Sequence, residues 1–195
     1  GNITLQANLD MQDDDKILLG TGDDLEIYHD GSNSIVADTG TGHLRLAGGQ
    51  VHIMNQAMST YGARFYDSGA AELYHNGAKR FETSSTGIMV KAGEGAGATI
   101  EIYGDEGDDN SDKFRLIVND GGPLQIGNYT SGAWETNIEC NGDGNVELYH
   151  DNSKKLETSS AGVTVTGTLN ATTAVTQNGK GLATTGKAIA MAMVF

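Results

Sequence analysis

Hydrophobic and polar residues alternate along this chain in short runs, each ended by glycine, asparagine or aspartate. Ile3, Leu5, Ala7 and Leu9 fall on alternate positions, and period two predicts a strand with one buried face. After the acidic break Gln12-Asp13-Asp14-Asp15 come the short strand Ile17-Leu18-Leu19 and the alternating Leu25-Glu26-Ile27-Tyr28-His29. Asp30-Gly31 then signals a hairpin, since glycine accepts the positive φ of tight turns. Ser34-Ile35-Val36, His43-Leu44-Arg45-Leu46, Val51-His52-Ile53-Met54 and Ala63-Arg64-Phe65-Tyr66 read as further strands. So do Ile88-Met89-Val90, Thr99–Tyr103, Phe114–Val118, Leu124-Gln125-Ile126 and Thr136–Cys140. Val163, Val165 and Leu169 extend the alternation, and Ile189, Met191, Met193 and Phe195 share one face of a final strand. No sustained 3.6 period occurs, apart from a weak pattern in the last fifteen residues. The pattern predicts an all-β chain of many short strands.

Some of these strands are copies of one another. Glu147-Leu148-Tyr149-His150-Asp151 recurs as Glu72-Leu73-Tyr74-His75-Asn76 and as Glu26-Ile27-Tyr28-His29-Asp30. Thr99-Ile100-Glu101-Ile102-Tyr103 is a degenerate copy in which Gly104 replaces the histidine. The tyrosines Tyr28, Tyr74, Tyr103 and Tyr149 lie 46, 29 and 46 residues apart, so the repeat is irregular. Within a copy, Leu25/Ala71/Val146, Ile27/Leu73/Leu148 and His29/His75/His150 share one strand face. Glu26/Glu72/Glu147 and Tyr28/Tyr74/Tyr149 share the other. The apolar face is expected to point inward, carrying each histidine beside a turn. Three imidazoles on a symmetry axis would suit a metal, but no His-x-His pair completes the shell, so bonding to the turn is the expected role.

Composition narrows the reading. Leu, Ile, Val and Phe make up 39 of the 195 residues, close to the ~20% level below which charged chains are usually disordered. The single proline and the recurring pattern argue for folding, with the thin core completed by neighbouring repeats or chains. The formal net charge of -14 disfavours a phosphate backbone, so no nucleic-acid partner is expected. No apolar run approaches the ~18 residues of a membrane span. Cys140 is the only cysteine, which excludes an intrachain disulfide. The chain begins with Gly1 rather than Met, as a processed chain or a fragment would.

Candidate chemistry is sparse. Asp13–Asp15, Asp23-Asp24 and Asp105–Asp109 are acidic, but none has the spacing of a calcium loop, and solvated turn carboxylates are expected there. No nucleophile elbow or phosphate loop occurs, so no catalytic residue, metal site or cofactor is assigned. Trp134 and Tyr129 are the candidate binding residues, because aromatics in a polar loop can stack on a sugar ring or anchor an interface. The alternative is that the only Trp fills a core.

The segment Leu19-Gly20-Thr21-Gly22-Asp23-Asp24-Leu25-Glu26-Ile27-Tyr28-His29-Asp30-Gly31-Ser32-Asn33-Ser34 resembles one common in tail fibre proteins of tailed bacteriophages, notably those infecting marine bacteria and cyanobacteria. Leu148-Tyr149-His150-Asp151-Asn152-Ser153-Lys154-Lys155-Leu156 and Gly186–Phe195 are similar to such proteins too. The resemblance implies an elongated homotrimeric fibre of repeated strands and hairpins, triple β-helix or β-prism-like. It implies a virion location outside the cell. The implied partners are two further copies, other tail proteins and a host-surface glycan or protein. On this reading residues 1–92 form a repetitive shaft, 93–140 an inserted region, 141–169 a third shaft repeat and 170–195 a trimerising end. The implied function is structural and adhesive, not enzymatic. The alternatives are a tailspike-like polysaccharide depolymerase and a calcium-dependent bacterial adhesin.

Overall fold

The computed structural model describes residues 4–173, 175–178 and 180–181. Among these residues the chain is all-β, with no α-helix and one short 3-10 turn at Asn110–Asp112. It divides into two compact units, Gly1–Gly77 and Ala78–Phe195, each described here by itself.

The first unit holds an antiparallel three-stranded sheet of β1 (Ile17–Leu19), β2 (Leu25–His29) and β3 (Ser34–Asp38). It also holds an antiparallel run of β4 (Gln50–Met54), β5 (Tyr61–Tyr66) and β6 (Ala71–His75). The second unit opens with the hairpin β7 (Ala78–Ser84) and β8 (Gly87–Val90). Its main feature is a seven-stranded meander: β9 (Ala98–Tyr103), β10 (Lys113–Val118), β11 (Leu124–Asn128), β12 (Glu135–Cys140), β13 (Val146–His150), β14 (Ser153–Ser159) and β15 (Gly162–Val165). A two-stranded ribbon, β16 (Thr176–Gln177) with β17 (Lys180–Gly181), follows. The strands of 98–140 and those of the third repeat therefore share one sheet.

Turn chemistry sets the registers. Asp151 and Asn152 form a two-residue turn between β13 and β14 with φ of 48° and 55°. Two successive positive φ values fit a type I′ turn, whose twist matches that of the flanking strands. At the corresponding place in the first copy, Asp30-Gly31 does not make a two-residue hairpin. Residues 30–33 form a longer loop in which the Asp30 carboxylate accepts the backbone N–H of Ser32 (2.9 Å) and Asn33 (2.6 Å). The side chain there mimics a backbone turn.

Residues paired across strands share a face. In the seven-stranded sheet one row runs Ile100, Leu116, Ile126, Ile138, Leu148, Leu156, Val165, one residue from every strand. A second row on the same face joins Ala98, Val118, Leu124, Cys140 and Val146, and Thr158 paired with Val163 lies beyond it. The opposite face carries Gln125, Glu139, Glu147 and Glu157 in register. The first unit repeats the division. Ile17, Ile27 and Val36 align, as do Ile53, Ala63 and Leu73, whereas His52, Arg64 and Glu72 align on the other side.

The sequence expectation placed the apolar face inward. Within the chain the cover is reversed: Glu72 (6% exposed) and Glu147 (9%) are buried, while Ile27, Leu73 and Leu148 remain 38%, 47% and 38% exposed. Long polar side chains lie across one another and shield their own stems. The shorter apolar chains stand up from their face with little over them. Among the described residues the buried hydrophobic core reduces to Ala63.

Two expected strands do not form. Residues 4–9 and 43–46 lie outside strands, and Leu44 and Leu46 are exposed. Neither segment has a neighbouring strand to take up its backbone N–H and C=O groups, which alternation alone does not provide. Leu169 lies beyond β15 and is exposed, and the expected strand at 187–195 falls outside the described residues.

The turn gives a direct test. Asp151→Val puts a β-branched residue at φ 48° and is expected to cost about 1–2 kcal/mol. The melting temperature, followed by circular dichroism, should fall by about 2–8 °C. Asp151→Gly, which tolerates that φ, should show no such fall.

Candidate functional site

The polar face holds a recurring cluster. In each copy a tyrosine stands two residues after a glutamate and therefore on the same face. The Tyr149 hydroxyl donates to Glu147, and Lys154 donates to both Glu147 (3.2 Å) and Glu157. The Tyr74 hydroxyl donates to Glu72 at 2.5 Å, and the Arg64 guanidinium lies over the Tyr61 and Tyr66 rings at 4.5 and 4.8 Å. Lys16 pairs with Glu26 at 2.8 Å and sits 4.5 Å over the Tyr28 ring. The degenerate copy keeps the bond from Tyr103 to Glu101.

Ionisation follows from these bonds. The hydrogen bond to Glu147, helped by burial, pushes the Tyr149 hydroxyl up to about 12. The bond from Tyr149 in turn holds the Glu147 carboxyl below its ordinary value, with Lys154 and Asn145 adding to the effect. Lys154 is raised by its bonds to Glu157 and Glu147.

The second constellation sits at one end of the same face. Pairing of β9 with β10 sets Tyr103 opposite Lys113 and Glu101 opposite Arg115. Pairing of β10 with β11 sets Arg115 opposite Gly127. A Cβ at position 127 would lie 2.7 Å from the Glu135 carbonyl oxygen, so only glycine lets β12 approach this closely. The bulge between Ile126 and Gly127 lies at the same place. Beyond it the tip Tyr129–Trp134 turns back, held by Tyr129 N–H to the Lys113 carbonyl at 3.1 Å and Gly132 N–H to the Tyr129 carbonyl at 2.9 Å.

This geometry brings the two sequence-predicted binding residues together. Tyr129 and Trp134 meet edge to face with centroids 5.2 Å apart. The Arg115 guanidinium stacks on the Trp134 ring at 4.4 Å, and the Lys113 ammonium lies 5.8 Å from the centre of the Tyr129 ring. Trp134 is half-buried against these groups and is not a core residue. A shallow groove of about 360 Å³ opens here, lined by Glu101, Tyr103, Gly107, Lys113, Tyr129 and Trp134. It offers aromatic faces, a cation and a carboxylate side by side. That combination suits a hydroxyl-rich ring, which stacks on aromatics and exchanges hydrogen bonds at its edge. Among the described residues the Arg115 Nε is buried without a hydrogen-bond partner, and the guanidinium is held against the Trp134 ring by stacking.

Tyr103, Lys113, Arg115 and Glu101 were not singled out from the sequence. The signal for two of them was present, because Glu101-Ile102-Tyr103 keeps the Glu-x-Tyr spacing of the repeats. The other two enter through cross-strand register.

The repeat histidines lie at exposed strand ends. His29 Nδ1 is 3.3 Å from Ser34 Oγ, His75 Nε2 is 3.4 Å from Asn76 Nδ2, and His150 Nδ1 is 3.4 Å from Asp151 Oδ2. Their neighbours are side chains at the turns. Among the described residues, one group of carboxylates approaches a metal-ligating arrangement, Asp108, Asp109 and Asp112 in the acidic loop. Asp108 and Asp109 are exposed, as expected for solvated carboxylates.

Comparison with known proteins finds no matching family model, no matching curated protein and no matching solved structure.

The cluster has a pH signature. Glu147 has a lowered carboxyl pKa, so its contribution is present above the unfolded value of 4.5 and lost as pH falls through the folded value. Tyr149 has a raised hydroxyl pKa, so its contribution is complete below 10 and lost as pH rises towards about 12. Thermal melts should therefore show a plateau between those limits and a fall on either side. Tyr149→Phe should flatten both falls, since it removes the hydroxyl and the bond that depresses Glu147.

Proposed function

We propose that this chain is a structural and adhesive segment of a bacteriophage tail fibre, assembled as a homotrimer and displayed on the virion. One observation carries the reading. In the three-stranded sheet, in β4–β6 and in the seven-stranded sheet, apolar side chains on one face stay exposed, among them Ile27 and Val36, Ile53 and Leu73, and Ile100 and Leu148. A chain built this way gains its hydrophobic stabilisation from association. Fibres wound from several chains meet that need, and winding them together also removes free strand edges. The resemblance of the Glu-x-Tyr-His segments to tail fibre repeats supports the same conclusion.

The adhesive part of the proposal rests on the groove at Tyr103, Tyr129 and Trp134. Three identical grooves on one assembly would turn weak single contacts into useful avidity. The ligand class is a saccharide of the host surface, with ring faces on the aromatics and hydroxyls at Lys113 and Glu101.

Light scattering on a sizing column tests the assembly. The expected mass is three times 20.4 kDa, and a stable monomer would refute the proposal. The groove is tested separately. Trp134 is the only tryptophan, so its fluorescence reports on this place alone. Titration with purified surface polysaccharide from susceptible bacteria should shift or quench its emission, and Tyr129→Ala should weaken the response by about tenfold or more, the loss of one stacking partner. An unchanged emission spectrum at saturating polysaccharide would remove the groove from the attachment site.

A further inference from the structure

We infer that copies of this chain meet through the apolar face of the seven-stranded sheet, so that the carboxylate–tyrosine face stays outside. The inference rests on the fibre reading and goes beyond it by naming the contact surface.

Three arguments point to a second copy as the occupant. The first is charge. The apolar rows that pass through Leu116, Ile126, Leu124 and Val146 contain no ionisable group except the Cys140 thiol. The opposite face carries Glu139, Glu147 and Glu157 across three adjacent strands. Two such faces brought together would set carboxylates against carboxylates, in a chain whose net charge is already -14. Of the two faces of the seven-stranded sheet, the apolar one is where copies of so acidic a protein can meet without setting carboxylates together. The second argument is area. Seven strands spaced ~4.8 Å apart, each about five residues at ~3.4 Å, give a face of roughly 570 Å². Three of them turned to a common axis bring about 1,700 Å² together, the size of surface a specific interface uses. The third is availability. A closed symmetric assembly offers every copy the same face, and none is left uncovered.

The placement puts Cys140 inside the contact, between Leu124 and Val146 in the second row. As the only thiol, it reports on that face without a label. Val163 and Thr164 are adjacent in β15 and point to opposite faces, and both are exposed. Val163 shares the apolar face, whereas Thr164 is paired with Glu157 on the polar one.

The experiment measures mass by light scattering and the rate at which dithiobis(nitrobenzoate) modifies Cys140, in the native protein and in urea. The expected result is a multimer whose thiol reacts about tenfold or more slower than in the unfolded chain, because reaction requires opening. Val163→Lys and the more central Val118→Lys should lower the mass and speed the thiol reaction, with the strand signal in circular dichroism retained. Thr164→Lys should change neither. A multimer whose thiol reacts as fast as in urea overturns the inference and leaves the fibre reading standing. So does a multimer in which the lysines at 118 and 163 leave mass and thiol rate unchanged. A monomer overturns both, and a monomer with a protected thiol would mean that another part of the same chain covers the face.

Discussion

A β-sheet can form its backbone hydrogen bonds and still lack a reason to persist in water. The reason is supplied by burial of one face, at about 25 cal/mol per Å² of apolar surface. Here that surface is laid out in rows but not enclosed. Ile100 and Phe114 on adjacent strands are 43% and 45% exposed, and Val118 is 50% exposed. The hydrogen-bonded framework is therefore complete before its hydrophobic contribution is. The seven-stranded sheet is one layer of what is normally a two-layer structure, and the proposed association would supply the other.

The polar face shows why a single layer can hold its shape at all. Glutamate, tyrosine and a cation interlock at Glu147, Tyr149 and Lys154, and again around Arg64 and Glu72. Each partner is held by a neighbour on the same or an adjacent strand, so register and side-chain order reinforce each other. Exposed contacts such as that of His150 with Asp151 contribute little by comparison. The same device changes character at the end of the sheet. There Gly127 leaves space, Arg115 turns to stack on Trp134, and Lys113 faces the groove without an ion-pair partner among the described residues. A stabilising motif becomes a surface able to contact a ligand.

Much of the fold was legible in the sequence. Period two marked most strands, whereas the tight hairpin read at Asp30-Gly31 closes through the longer loop of residues 30–33. Trp134 and Tyr129 were readable as neighbours because a short tip joins them. Three things were hidden. Alternation at His43–Leu46 looks like a strand, yet a strand exists only with a partner, and partners are non-local. Lys113 reaches the groove, and Arg115 the Trp134 ring, by register across the loop from Gly104 to Asp112, which residue types alone do not fix. The direction of cover was hidden too. An apolar face was expected to be inside, whereas the chain alone shields its polar face better, because long polar side chains cover one another.

Every strand of the seven-stranded sheet pairs with the strand before or after it in the chain. That meander has a kinetic meaning. Its contacts are local, so hairpins can close one after another on the microsecond scale, without waiting for distant segments to meet. A nascent chain could lay down the sheet as it is synthesised. The proposed association would be slower and depend on concentration, because it needs an encounter between finished sheets. Until then each sheet presents sticky, ordered rows, and the same rows invite mispairing. For such a protein yield would be governed less by folding than by how soon the right neighbour arrives.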